Sequence, residues 1–149
     1  MASRRRAREF ALQALYQWDL VKSDPQSTLN GLWEGLLDGE GIDDCRAPES
    51  EEVEFAQRLV HGVVAELSDL DPLIEACSTN WRVGRMPTVD RNILRIVCVE
   101  LKSFADVPAT VAINEAVELA KRFGSKESKA FVNGIADRLA KNLGHIEEG

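Results

Sequence analysis

The sequence predicts an all-α protein of about seven helices, and three observations carry that prediction. Apolar residues recur at three- and four-residue spacing through most of the chain. No stretch alternates apolar and polar residues as a half-buried strand would. Serine, proline and glycine fall where helices would start and stop.

Taken in order, Ser3 is placed to cap a first helix reaching to about Leu20, with Ala7, Phe10, Ala11, Ala14, Leu15 and Trp18 as its apolar stripe. SDPQS (23–27) breaks it, and a short helix follows around Leu29, Leu32, Trp33, Leu36 and Leu37. DGEGIDDCRAPES (38–50) reads as an acidic, glycine-rich loop. Val53, Ala56, Leu59, Val60, Val63, Val64 and Leu67 form the third stripe. Asp71-Pro72 then has the form of an N-cap followed by proline at the first helical position. This predicts a seam between an N-terminal half of about 1–70 and a C-terminal half of about 71–149. A short helix through Leu73, Ile74 and Cys77 leads to a turn at Val83-Gly84, and Pro87 precedes a helix carrying Val89, Ile93, Leu94, Val97, Leu101 and Phe104. Pro108 restarts the chain; Ala112, Ile113, Ala116, Val117, Leu119, Ala120 and Phe123 form a stripe that Gly124 ends, and Ser125 is placed to cap a last helix reaching Leu143-Gly144. Gly134 inside that helix costs about 1 kcal/mol relative to alanine, which predicts a close backbone neighbour there.

A chain of 149 residues, 44% hydrophobic and 29% charged, is sized and composed as one soluble domain able to bury its own core. Cys45, Cys77 and Cys98 are odd in number and widely spaced, which predicts thiols in a reducing cytoplasm and neither a disulfide framework nor a metal site. His61 and His145 are isolated from any ligand-spaced partner. No membrane span, nucleotide-binding glycine loop or catalytic signature is present, so neither enzymatic activity nor a cofactor is expected.

The net charge of -7 conceals an asymmetry. Residues 1–8 carry four arginines and no acid, residues 34–71 carry twelve acids and two arginines, and residues 121–141 carry six basic residues against two acids. A polyanion would be drawn to the two ends and repelled by the middle. On a helical wheel centred on Trp18, Ala7, Ala11, Ala14 and Leu15 lie within roughly 60° of it, while Arg5 and Tyr16 lie about 140–160° away. An exposed tyrosine beside guanidinium groups is suited to stacking an unpaired base and binding phosphates. Cations at a helix N-terminus oppose the macrodipole by ~0.3–1 kcal/mol each, so Arg4, Arg5 and Arg6 in succession require an anionic partner. In GSKESKAFVNG (124–134), Lys126 and Lys129 lie outside the core face of the last helix, and Phe131 on its residues alone is a core-edge aromatic.

RRRARE-ALQALY at the start, W-x3-R-x4-DRxILRI at 81–96 and VPATVAINEAVELAKRFGSKESKAFVNGIAD at 107–137 together resemble the NusB family of bacterial transcription antitermination factors. The resemblance covers nearly the whole chain and is weakest at 38–50. It implies one all-helical RNA-binding domain built of two small packed bundles. It further implies binding of the boxA element of nascent RNA together with the NusE partner, a small-subunit ribosomal protein, and recruitment into an RNA polymerase assembly that reads through terminators, notably in ribosomal RNA operons. Carried over by position, the RNA surface comprises Arg4, Arg5, Arg6 and Arg8 with the element from Phe123 to Gly134, which raises Phe131 to an RNA contact; Tyr16, Lys126 and Lys129 complete the expected set. A homodimer that buries the arginine start would be an inactive storage form. Two other readings are a stand-alone relative of the helical domain preceding some RNA cytosine methyltransferases, whose catalytic domain this chain would have no room for, and a self-associating structural bundle in which the N-terminal charge is dispensable.

Overall fold

The computed structural model of the chain describes residues 2–37 and 46–145. Among these residues all regular structure is helical: α1 (Arg4–Val21), α2 (Pro25–Leu37), α3 (Ser50–Cys77), a 3-10 turn (Val83–Arg85), α4 (Thr88–Ser103), α5 (Ala109–Phe123) and α6 (Ser128–Asn142). The expected loop at 38–50 lies largely outside the described residues. Two compact units are present, Met1–Val64 and Ala65–Gly149, and the division falls inside α3.

The helix count is one lower than expected because Asp71-Pro72 does not break the chain. It lies within α3, whereas the same dipeptide at Asp24-Pro25 does start a helix. At the first site the preceding Lys22 is left-handed (φ 59°), which ends α1, and the Asp24 carboxylate accepts from the Ser27 amide at 3.0 Å as an N-cap. At the second, Asp71 is engaged elsewhere, its two oxygens each accepting from the Arg95 guanidinium at 2.9 Å. Leu70 and Ile74, fully buried on either side, hold the helix through the proline. Pro72 and Ser68 are exposed, so the carbonyl that proline leaves without a donor faces water.

In the first unit, Phe10, Leu15, Leu29 and Leu59 are fully buried, and the Phe10 and Trp33 rings meet edge to face at 5.5 Å. The wheel face predicted for α1 is the buried one: Ala7, Ala11, Ala14, Leu15 and Trp18 are all in the core. In the second unit, α4, α5 and α6 pack on one another. Every residue of α4 from Asn92 to Leu101 is buried, so that helix is its centre. The thiols of Cys77 and Cys98 are free and buried, and burial pushes Cys98 up to about 12. Cys45 lies outside the described residues.

Candidate nucleic-acid interface

At its start α1 is built to be rigid. Ser3 is the N-cap, its Oγ accepting from the Arg6 amide at 3.2 Å. Directly behind it lies Glu52, whose side chain is fully buried. One carboxylate oxygen accepts from the Ser3 amide (2.9 Å) and from Arg46 Nη2 (3.1 Å); the other accepts from the Glu49 amide (3.0 Å) and from Arg6 Nη1 (2.8 Å). Ser3 and Glu49 are the N-cap positions of α1 and α3, so a single anion serves two helix N-termini at once. Burial pushes the Glu52 carboxyl up, but the Glu49 and Ser3 amides, Arg46 and Arg6 outweigh it and hold it below its ordinary value.

This corrects one expectation. The anion demanded by cations at the helix start is supplied internally by Glu52, so the macrodipole argument by itself does not require an external polyanion. It also divides the arginines. Arg6 is 6% exposed and pairs with Glu52 while donating to the Ala47 and Arg46 carbonyls. Arg8 is 2% exposed, its guanidinium 5.3 Å from the centre of the Phe55 ring. Arg4 is exposed and lies over the same ring at 4.3 Å, with Arg58 of α3 also against it at 5.9 Å. Arg5 and Tyr16 are exposed, as the wheel places them. The four arginines therefore do not share one outward surface. A wheel centred on a single buried face treats the rest of the first turn as solvent, but α3 covers a second side of it with Glu52 and Phe55.

In the second unit the element 123–134 is shaped from beneath by Ser128. Its Oγ donates to Asp90 of α4 at 2.7 Å and accepts from the Ser125 amide at 2.9 Å; Ser128 and Asp90 are both buried. Ser125 is thus part of the turn and does not cap α6, which begins three residues later. Gly124 is required by space: an added Cβ would stand 2.4 Å from Ser128 Oγ and 2.8 Å from the Ala120 carbonyl. Gly134 is the reverse case and corrects the expectation of a close neighbour, since a Cβ there meets nothing within 4 Å. Lys126 and Lys129 are exposed, Phe123 is exposed with Arg122 over its ring at 5.4 Å, and Phe131 is half-buried.

Three residues of these surfaces were given no role from the sequence. Glu52 had only the weak signal of acids clustered before a stripe. Trp81 had a better one, as a large aromatic outside any apolar stripe and followed by Arg82; it is half exposed beside Phe131 in a shallow groove. Arg138, in the same groove, donates to the Cys77 carbonyl at 2.8 Å. Among the described residues no group of His, Cys, Asp and Glu could hold a metal ion, and no helix is long and apolar enough to cross a membrane.

Comparison with known proteins gives consistent matches. The model of the NusB family matches residues 5–141. The transcription antitermination protein NusB of Myxococcus xanthus is 46% identical over 143 residues, covering 96% of this chain and 98% of that one. Its counterpart in Geobacter sp. strain M21 is 44% identical over the same length, covering 96% and 97%. The solved structure of T. maritima NusB superposes with a TM-score of 0.80 at 36% identity, covering 95% of this chain and 93% of that one. A chain from the crystal structure of antitermination factors NusB and NusE in complex with double-stranded RNA superposes with a TM-score of 0.74 at 26% identity, covering 93% and 96%.

Proposed function

The chain belongs to the NusB family, and on that premise we propose that it is an RNA-binding transcription antitermination factor. It takes single-stranded boxA-type RNA jointly with NusE, the small-subunit ribosomal protein, and enters an RNA polymerase antitermination complex in the cytoplasm, notably on ribosomal RNA operons. The observation that carries this reading is the outward placement of Arg4, Arg5 and Tyr16 on a helix whose first turn is pinned from beneath by Glu52 and Arg6. A guanidinium and a phenol on a fixed backbone can meet a phosphate and a base without first being ordered. Lys126, Lys129 and Phe131 of the second unit join them as RNA contacts, with Arg6 and Arg8 as positioning residues of α1. The solved complex of a related chain with NusE and double-stranded RNA lends support to both classes of partner. A homodimer covering the arginine start would be the RNA-free form.

Fluorescence anisotropy with labelled single-stranded boxA-type RNA, alone and with the ribosomal protein, tests this. Weak binding alone and tighter binding with the partner is expected, with a double-stranded competitor of the same sequence less effective. Arg4→Ala with Arg5→Ala should weaken binding and flatten its salt slope with helix content unchanged. Unchanged affinity in that double variant would sink the assignment of the surface. Sedimentation velocity checks the homodimer, which should dissociate on adding RNA.

A further inference from the structure

We propose that the groove between the turn at 78–81 and the exposed face of α6 is a pocket for one unpaired RNA base, with Trp81 as its stacking platform. The inference rests on the RNA-binding reading above and assigns it a contact outside the arginine start. Five lining residues, Ala130, Phe131, Gly134, Ile135 and Arg138, recur at helical spacing and so occupy one face of α6. Along that face Ala130 and Gly134 stand one turn apart and carry almost no side chain, and space above Gly134 is open to at least 4 Å. Trp81 and Phe131 supply aromatic surface to the same groove, and Asn80 and Arg138 supply polar groups.

The platform is held in place. The Trp81 amide donates to Ser78 Oγ at 3.2 Å, and two residues on the Val83 amide donates to Glu75 Oε1 at 3.0 Å, which ties the turn to the end of α3. Arg138 is fixed by its bond to the Cys77 carbonyl, a cation on the last carbonyls of a helix. A tryptophan left 50% exposed beside a second aromatic and two small residues is a surface prepared for a flat partner. The occupant's polarity follows from the lining. No carboxylate lines the groove, Arg138 does, and Arg82 and Lys126 are exposed on the adjoining turns with Lys129 exposed at the start of α6. An apolar protein side chain would desolvate Asn80 and Arg138 without giving them partners. A nucleobase offers a π-face to the indole and polar edges to the amide and guanidinium, and its phosphate suits the flanking cations.

The test uses the full chain with its ribosomal-protein partner and a single-stranded boxA-type RNA in which each nucleotide in turn is made abasic. Trp81→Ala should weaken RNA binding roughly tenfold, within the range of one base-aromatic stack, and Trp81→Phe should recover most of it. One abasic position should weaken the wild type by a similar factor and have no further effect on Trp81→Ala. Gly134→Leu, which fills the groove while replacing glycine with a good helix former, should weaken RNA binding without lowering the thermal midpoint. Abasic losses that are the same in wild type and Trp81→Ala at every position would overturn the pocket. So would Trp81→Ala binding RNA normally while losing the ribosomal protein, which would give the groove to a protein side chain. If Arg4→Ala with Arg5→Ala weakens RNA binding and Trp81→Ala does not, the pocket fails and the RNA reading stands; a wild type that binds no RNA overturns both.

Discussion

The two basic segments of this chain use their charge in opposite ways. At the start of α1, two arginines out of four are drawn into the protein, where Arg6 meets the buried Glu52 and Arg8 lies against Phe55. At 124–134 both lysines stay in solvent, and the buried polar work falls to neutral Ser128 and its acceptor Asp90. The difference follows from the side chains. A guanidinium offers five donors in a fixed plane and can satisfy a carboxylate and two carbonyls at once, whereas a lysine ammonium is strongly hydrated and stays in water. Arginine-rich sequence therefore reports two things together, a surface and the scaffold beneath it.

The largest loss is expected at the buried Glu52. Arg6→Met keeps an aliphatic stem but leaves a buried carboxylate short of its closest cation, and should cost about 3 kcal/mol on urea unfolding. Amide exchange should accelerate in α1 and the start of α3 and stay unchanged in α4 and α6. Acid should act on the same ion pair. The Glu52 carboxyl is held below the ordinary 4.5 in the folded chain, so the unfolded chain takes up the proton first. The stabilisation is complete above pH 4.5 and is lost as pH falls through the folded value. Glu52→Gln should flatten that part of the acid limb, and an unchanged limb would show that the carboxylate does not set it.

In the second unit the equivalent break is steric. Gly124→Ala places a methyl against Ser128, which cannot move aside without giving up Asp90, and should cost ~1–3 kcal/mol by overpacking. Ser128→Ala removes the donor to a buried carboxylate and should cost a similar ~1–3 kcal/mol. RNA affinity should fall with either change by a few-fold, since Lys126 and Lys129 lose their fixed spacing. Gly134→Ala, in open space, should be neutral or stabilising by thermal melt.

What the sequence made legible follows from this contrast. The helical class, Ser3 as a cap and the buried stripe of α1 could be read because each rests on residues near one another in the chain. The outward placement of Arg5 and Tyr16 came from the same periodicity. Fates decided by distant residues could not be read. Arg6 is claimed by Glu52, 46 positions away, and Asp71 by Arg95, 24 positions away, which turned a plausible helix start into the middle of a helix. Gly124 and Gly134 look alike as letters, and only the position of Ser128 separates a glycine that is required from one that merely leaves room.

The smallest expected effects are the most discriminating for RNA. Lys126→Ala and Lys129→Ala should each lower affinity less than about threefold and reduce the salt slope by about 0.7 for each phosphate no longer neutralised. Arg5→Ala should show the same slope change with a larger loss of affinity. Arg5→Lys then separates charge from geometry. If α1 acts only as local positive charge, lysine at position 5 should bind as well as arginine, with the slope preserved. If the pinned first turn presents an oriented guanidinium, Arg5→Lys should keep the slope and still lose several-fold in affinity, because the point charge survives and the bidentate fork does not. The same substitution made in an Arg6→Met background should then have a smaller effect, since a first turn no longer held by Glu52 has little orientation left to lose.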